Sequence, residues 1–267
     1  MLLKFLFLMS FFISFTYAQN EKDLTIDGTG DSQELLRGLA NIYNINTGNK
    51  VIIPNSIGSG GGIKKVINGD SKIARVARGL KNKEKVNGLS YILFAYSPVV
   101  FVINTDIQEE INFSREDILN IYNSTVKNWE ELKNTGLNGK IYVVNREVGD
   151  SSRAILEKKL KEFKDIKKMM GITANYNAEA IEFLTKYKNT IGYLSLPNTT
   201  NTNLKILSLD NIFPTIDNIK NNQYNLTTPL GFVFKGELEN NAKAFLAFLK
   251  TPLAKDFMIK SGVVPIN

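Results

Sequence analysis

Three short loops rich in glycine, serine and threonine have the residue types needed to bind an anion. They cover residues 27–32, 56–62 and 146–153, and each lies between a predicted strand and a predicted helix. The first N–H groups of a helix have no partner within it, and the helix dipole is positive at that end. Glycine lets the backbone approach a ligand closely, and serine and threonine add hydroxyl groups. The loops are therefore candidate sites for phosphate-like anions.

Two arginines strengthen the third loop as a candidate. Arg146 and Arg153 supply fixed positive charge in a planar fork that suits bidentate contact with an oxyanion. Any single loop of this kind is also typical of an ordinary helix N-cap or turn. Three in one chain favour a shared site, because helix N-termini can converge at one end of the strands of an α/β fold.

The composition excludes several other chemistries. The sequence has no cysteine and no histidine, which excludes disulfides, thiolate or histidine metal sites, and Ser-His-Asp catalysis. Gly62 is followed by Ile63, whereas a Walker loop continues with lysine and a hydroxyl residue. The segment 149–151 is similar to a serine-hydrolase motif but lacks a histidine base, and a Ser-Lys dyad is left open. We expect no cofactor and no metal.

An alternation of short strands and helices must position these loops, and it predicts an α/β fold. Leu35, Leu39 and Tyr43 repeat at spacing four on a predicted helix over 33–43. The β-branched run 99–103 is typical of a buried strand, and Ser114 is expected to cap a helix over 115–122. The other predicted strands cover 24–26, 51–53, 141–144, 191–194 and 230–234, and the other predicted helices cover 63–67, 129–132, 154–163, 178–188, 241–250 and 253–260.

Residues 1–18 have the pattern of a secretory signal peptide. Lys4 precedes an apolar run, and Ala18 ends the segment at a small-residue cleavage site. The alternative is a membrane anchor, but the run is shorter than the roughly 20 apolar residues of a span. We expect cleavage after Ala18 and export of a soluble chain. The net charge of +7 could favour small anions, or could reflect a lysine-rich proteome.

The loops, in this order behind a signal peptide, resemble the periplasmic phosphate-binding proteins that serve bacterial ABC importers. The resemblance covers nearly the whole chain after the signal. Residues 28–32 resemble the family's first anion loop, and residues 58–64 resemble its second loop most specifically. The other matching segments are 47–51, 72–80, 146 with 149–153, 191–193 and 261–265.

The resemblance implies a two-lobed type II periplasmic-binding-protein fold with an anion buried between the lobes. One lobe would comprise residues 19–97 plus 228–267 and the other residues 98–227, with 99–103 and 230–234 in the crossing strands. It also implies a monomeric periplasmic protein that delivers phosphate to an ABC permease in the inner membrane, with no enzymatic activity and no nucleic-acid partner. The binding residues that it implies are Thr29, Gly30, Asp31, Ser32, Ser59, Gly60, Arg78, Arg146, Asp150, Ser151 and Ser152.

The sequence departs from the family at two positions. Where many members carry a carboxylate or hydroxyl on the third ligand strand, this chain has Ala77 followed by Arg78, and Asp150 stands where serine or threonine is usual. An inward Asp150 would accept a hydrogen bond from the proton of HPO₄²⁻, whereas an Asp150 that only caps its helix would leave Arg78 to favour a fully deprotonated oxyanion. Sulfate or molybdate is therefore an alternative ligand, and a sensor that signals to a membrane partner is an alternative role.

Overall fold

A computed structural model of the chain describes residues 23–85, 88–133 and 135–266. The predicted signal peptide and its cleavage point after Ala18 lie outside the described residues. Within the described ranges, no helix is both long enough and apolar enough to cross a membrane.

Strands and helices alternate along the chain, as the sequence predicts. The strands of the described part are β1 (Leu24–Thr25), β2 (Asp27–Gly28), β3 (Val51–Ile52), β4 (Ile73–Val76), β5 (Leu89–Ile103), β6 (Asn112–Phe113), β7 (Tyr142–Arg146), β8 (Ile172–Ala174), β9 (Thr190–Ser195), β10 (Lys205–Ile206), β11 (Ser208–Leu209), β12 (Thr227–Lys235) and β13 (Val264–Pro265). Its helices are α1 (Gln33–Thr47), α2 (Gly58–Asn68), α3 (Asn82–Lys85), α4 (Arg115–Tyr122), α5 (Ser151–Lys159), α6 (Lys161–Asp165), α7 (Asn177–Lys186), α8 (Ile216–Lys220), α9 (Asn240–Phe248) and α10 (Pro252–Lys260), with 3-10 turns at Trp129–Glu131 and Leu196–Thr199.

The two long strands β5 and β12 lie at the centre of one large sheet. Its strand order is β2-β4-β12-β5-β9-β7-β8, with β10 and β13 also paired to β5. Strands β5 and β12 run antiparallel from the pair Pro98 and Thr227 to the pair Leu89 and Lys235. Beyond them, the pairs β2 with β4, β7 with β9 and β7 with β8 are parallel. The parallel parts are the ones in which helix N-termini can meet at the strand ends.

The two ends of the sheet have separate hydrophobic cores, which define the two lobes of the fold. The core of lobe 1 packs β4 and the middle and end of β12 against α1, α9 and α10, with Leu36, Leu39 and Phe245 fully buried. The core of lobe 2 packs β5, β7 and β9 against α4, α5 and α6. Its large members include Trp129, which stacks on Phe113 with ring centroids 5.9 Å apart. The crossing strands β5 and β12 connect the two cores.

The element limits follow the sequence closely at some places and depart from it at others. The helix over 115–122 is confirmed, and Ser114 caps it in a reciprocal capping box with Asp117. The helix predicted over 154–163 was wrong in extent, because the chain leaves helical geometry at Leu160 and continues as a separate helix. The helix predicted over 63–67 begins five residues earlier, so its glycine-rich loop is the first turn of α2.

The glycines in that turn allow a close approach that a longer side chain would prevent. A Cβ on Gly62 would lie 2.9 Å from the Cα of Gly28 and 3.1 Å from the side chain of Ala74. Because glycine contributes no apolar periodicity and disfavours helices, the pattern of the sequence does not reveal this turn. Packing of α2 against β2 and β4 stabilises it instead.

Candidate anion-binding site

A cavity of about 260 Å³ lies where helix N-termini from both lobes meet. Lobe 1 contributes the loop before α1 and the start of α2, and lobe 2 contributes the starts of α5 and α7. The backbone of lobe 1 comes close to a side chain of lobe 2 here, since a Cβ on Gly30 would lie 3.0 Å from Nδ2 of Asn177. The cavity is lined by Thr29, Gly30, Asp31, Ser56, Ile57, Gly58, Ser59, Arg146, Glu147, Gly149, Asp150, Ser151, Asn175, Tyr176 and Asn177.

A fully buried arginine supports the lobe 1 loops from behind. Arg75 on β4 donates from Nε to the carbonyl of Thr29 at 2.9 Å and from its guanidinium to the carbonyls of Pro54, at 2.7 Å, and Ile26. Burial lowers the pKa of Arg75 to about 10, and the charge of Asp27 opposes that shift. At neutral pH Arg75 is therefore cationic, and it fixes backbone groups that lead into two of the anion loops.

Ser59 in the first turn of α2 is positioned to donate into the cavity. Its Oγ accepts a hydrogen bond from the backbone N–H of Ala77 at 3.0 Å, and its side chain is buried. A hydroxyl that accepts in this way keeps its own proton for another acceptor. Ala77 thus contributes to the site through its backbone, by orienting Ser59.

Arg146 at the end of β7 provides the positive charge of the cavity. Its side chain is 4% exposed, and Nη2 pairs with Oδ2 of Asp150 at 2.9 Å. Nη1 donates to Oδ1 of Asn177. The backbone N–H of Arg146 donates to the hydroxyl of Tyr193 at 3.2 Å, so the neighbouring strand β9 helps to fix the end of β7.

Asp150 takes both of the roles that the sequence leaves open. Its Oδ1 accepts from the backbone N–H of Arg153 at 2.9 Å and caps α5, while Oδ2 faces Arg146 inside the cavity. The guanidinium of Arg153 points away from the cavity: it donates to the carbonyl of Arg146 at 2.8 Å and pairs with Glu157 at 2.7 Å.

Asp31 brings a second carboxylate to the same cavity from the opposite lobe. Asp31 is 3% exposed. This burial is the main cause that raises the pKa of Asp31 to about 7, and the charge of Asp150 is the second cause. Arg146 and hydrogen bonding from Asn177 and Ser151 oppose that shift. Its Oδ2 has no hydrogen-bond partner among the described residues. Asp31, which lines the cavity, therefore has a buried carboxylate oxygen without a hydrogen-bond partner among the described residues.

Seven of the residues predicted from the sequence line the cavity: Thr29, Gly30, Asp31, Ser59, Arg146, Asp150 and Ser151. Ser32 and Ser152 are fully buried at the same helix starts, and their hydroxyls have no hydrogen-bond partner within the described part of the chain.

Two predicted residues are not brought to the cavity. Gly60 is exposed on α2 and is not among the residues that line the cavity, although its neighbour Ser59 is. Arg78 is held by Glu84 through two hydrogen bonds of 2.7 and 2.8 Å, so its guanidinium is already occupied outside the cavity.

The sequence interpretation missed Asn175, Tyr176 and Asn177, which precede and begin α7. A signal for them exists, because a short strand, β8, followed by polar residues and a helix repeats the plan of the other loops with asparagine in place of glycine and serine. Arg75 was also missed. Nothing in the sequence distinguishes this buried arginine from a basic side chain on the surface.

The two lobes, the crossing strands and the polar cavity between the lobes define a type II binding protein of the periplasmic class. The model of the PBP superfamily domain matches residues 15–252, and the chain belongs to this superfamily.

Relatives and solved structures agree with that assignment. The chain is 27% identical to the phosphate-binding protein PstS of Borreliella burgdorferi, over 93% of this chain and 91% of that protein, and 25% identical to PstS of Bacillus subtilis, over 91% and 81%. An ABC-type phosphate transport receptor from Vibrio cholerae has a TM-score of 0.67 at 25% identity, over 91% of this chain and 99% of that one. A Clostridium perfringens structure with bound phosphate has a TM-score of 0.82 at 23% identity, over 92% and 100%, and shows the same fold.

Proposed function

We propose that this protein captures inorganic phosphate outside the cytoplasm and delivers it to the permease of an ABC importer. One observation carries this proposal: helix N-termini of both lobes, serine hydroxyls and the buried Arg146 surround a single cavity of about 260 Å³. That volume suits a small inorganic oxyanion. The relatives are named as phosphate-binding proteins and phosphate receptors rather than as enzymes, which supports phosphate as the ligand and binding without catalysis.

The ligand contacts that we propose come from both lobes. Backbone N–H groups of Gly30, Ser32 and Ser59, with the hydroxyls of Ser32 and Ser59, would donate from lobe 1. Arg146 and the backbone amides and hydroxyls of Ser151 and Ser152 would donate from lobe 2, and Asn177 adds a side-chain amide. Charge-assisted hydrogen bonds contribute roughly 1.5–3 kcal/mol each, and micromolar affinity needs about 8 kcal/mol. A set of this size therefore suffices after desolvation and closure costs. Gly60 and Arg78 are not among the proposed ligand contacts.

The cellular setting belongs to the same proposal. We propose a signal peptide cleaved after Ala18, a monomeric periplasmic protein, and lobes of 19–97 plus 228–267 and of 98–227. The separate hydrophobic cores and the strands that connect them support that division. Closure of the lobes on phosphate would create the surface that docks on the permease.

Calorimetric titration tests the ligand directly. The mature protein is unfolded and refolded to remove bound anion, then titrated with phosphate, arsenate, sulfate and molybdate. We expect phosphate and arsenate to bind tightly and the other two anions weakly. Tight binding of sulfate or molybdate would replace phosphate in the proposal, and absence of binding by all four would refute it. Loss of phosphate uptake by cells that lack the protein would separate transport from a sensing role.

A further inference from the structure

A second cavity, of about 640 Å³, lies in lobe 2 between the end of α7 and the strands β7 and β8. Strand β7 reaches the anion cavity at Arg146, whereas Tyr142 at its other end lines the second cavity. A strand rises about 3.3 Å per residue, so the two sites lie on the order of 13 Å apart along β7. We call this second cavity the lobe 2 groove, and it is lined by Lys140, Ile141, Tyr142, Val143, Val144, Met170, Gly171, Ile172, Phe183, Tyr187, Lys188 and Thr190.

The wall of the groove is apolar because the first residues of β7 are left uncovered. Within the described ranges, β8 pairs with β7 only from Val144 onward, and α7 ends at Lys186. Three large side chains around the opening, Tyr142, Ile172 and Tyr187, are each about half exposed. Exposed apolar side chains that lie together in this way often mark a site of ligand binding or interaction.

Polar groups converge at one end of the groove. Lys140 precedes β7, Lys188 precedes β9, and Thr190 is the register partner of Tyr142 at the start of these two parallel strands. Thr190 is 2% exposed, and its hydroxyl has no hydrogen-bond partner in the described part of the chain. A buried hydroxyl without a partner costs free energy, which a ligand oxygen that accepts from it would recover.

The charge at this polar end is positive. None of the described residues that line the groove is acidic. Lys188 pairs with Asp106, but both side chains are mostly exposed, and an exposed pair of this kind is weak enough to exchange partners. The ammonium group of Lys140 lies 5.8 Å from the ring centroid of Tyr142. An apolar wall with two cations at one end is complementary to an anion that has an apolar body.

We propose that the lobe 2 groove is a second ligand site, and that it binds an amphipathic organic anion, a carboxylate on an aliphatic chain. The carboxylate lies between the two lysines and accepts a hydrogen bond from the hydroxyl of Thr190. The chain lies against the apolar wall that includes Val144 and Phe183. A cavity of several hundred Å³ with apolar walls and a few convergent polar groups is the usual form of a small-molecule site. Inorganic phosphate has no apolar part to fill it, so the inference does not depend on the proposed phosphate function.

Calorimetric titration of the mature protein with decanoate tests this site. Decyltrimethylammonium, which has the same chain and a cationic head, should bind at least about tenfold more weakly because the lysines repel it. Acetate, which has the head without the chain, should not bind measurably, since it buries almost no apolar surface. The affinity for decanoate should be the same with and without phosphate, because phosphate competes only in the anion cavity.

The variant Ile172→Glu assigns binding to the groove. Ile172 is 46% exposed, so the variant should fold, and a carboxylate in the apolar wall should weaken decanoate binding by at least about tenfold. The matched control is Ile259→Glu, because Ile259 is 39% exposed on α10 in lobe 1. The control should retain the original affinity for decanoate.

The variant Thr190→Val tests the polar end. It removes the hydroxyl and keeps a side chain of similar shape, so decanoate should bind about tenfold more weakly, which is the effect of one hydrogen bond to a charged group. The melting temperature of the ligand-free variant should not fall, because the hydroxyl has no partner among the described residues. This readout separates a ligand contact from a purely structural role.

The outcomes separate the groove from the anion cavity. Absence of decanoate binding, or equally tight binding of decyltrimethylammonium, would overturn the inference. Displacement of decanoate by phosphate would place it in the anion cavity and would overturn the inference as well. Unchanged decanoate affinity in Ile172→Glu would overturn the assignment to the groove. If the variants fail to fold, the comparison of the two probes on the original protein still decides.

Discussion

Replacement of Arg146 by alanine is the most direct test of the cavity. The guanidinium is 4% exposed, lies 2.9 Å from Oδ2 of Asp150, and donates to Asn177 as well. Its removal takes away the only cation among the described cavity-lining residues. It also leaves Asp150 without the partner that neutralises it, so the anion would meet two uncompensated carboxylates.

The expected loss of affinity follows from the contacts that disappear. One charge-assisted hydrogen bond to the anion contributes about 2 kcal/mol, which corresponds to about thirtyfold in the dissociation constant. A second such bond, or the repulsion from unpaired Asp150, would increase the loss further. We therefore expect Arg146→Ala to weaken phosphate binding by about thirtyfold or more.

Calorimetric titration at one pH measures this change, and Arg78→Ala is its matched control. Arg78 is also an arginine in an ion pair, but Glu84 holds it outside the cavity. The control should change affinity by less than about twofold. Far-ultraviolet circular dichroism and a thermal melt establish that both variants fold. Unchanged affinity in Arg146→Ala, or an equal loss in Arg78→Ala, would refute the assignment of the cation.

Four further changes test other parts of the site. Arg75→Met should lower the free energy of unfolding, measured by urea titration, by about 3 kcal/mol or more. Three buried carbonyls lose their donor, and each costs about 1–3 kcal/mol. A loss under about 1 kcal/mol would contradict the inference that Arg75 supports the lobe 1 loops. Ser59→Ala should weaken phosphate binding by about fivefold, which is the effect of one hydrogen bond of about 1 kcal/mol. Ser71→Ala is the control and should leave the affinity unchanged, because the hydroxyl of Ser71 donates to Asp27 away from the cavity. Gly60→Ala should leave affinity unchanged and stabilise α2 by up to about 1 kcal/mol, since a Cβ there meets nothing within 4 Å; a tenfold loss of affinity would return Gly60 to the site. In anion-free protein the folded state holds the proton of Asp31 up to about pH 7, whereas the unfolded chain releases it near pH 4. The free energy of unfolding should therefore fall as pH rises through that window, by at most about 4 kcal/mol and by less where the cleft opens. Asp31→Asn should remove that slope, and an unchanged slope in the variant would place the titrating group elsewhere.

The sequence was sufficient to predict the features that depend on local chemistry. The strand, loop and helix plan identified the loops around residues 29–32 and 146–152, because hydroxyls and glycines before a helix have a local cause. Arg146 could be selected because it places fixed positive charge in such a loop. The cap at Ser114 was predictable for the same reason, since a side chain three residues from its backbone partner needs no information about the fold.

The features that depend on packing could not be predicted in this way. Arg78 follows the third ligand strand in sequence, but the nearby Glu84 competes for its guanidinium. Arg75, three residues earlier, is fully buried because the loops that contain Ile26, Thr29 and Pro54 enclose its side chain. The alternation of a strand places neighbouring side chains on opposite faces, yet it does not say which face meets carbonyls and which meets solvent.

The pair of carboxylates is the clearest case of information that only the fold contains. Each has a simple local account in the sequence: Asp31 precedes the cap of α1, and Asp150 caps α5. The two carboxylates come together because β5 and β12 connect the lobes, so that loops of both lobes line one cavity. Asp150 is paired with Arg146, and its charge adds to burial in raising the pKa of Asp31. The charge that an anion meets is thus a property of the closed cleft. It follows that the protonation of the bound anion should be measured on the whole two-lobed protein.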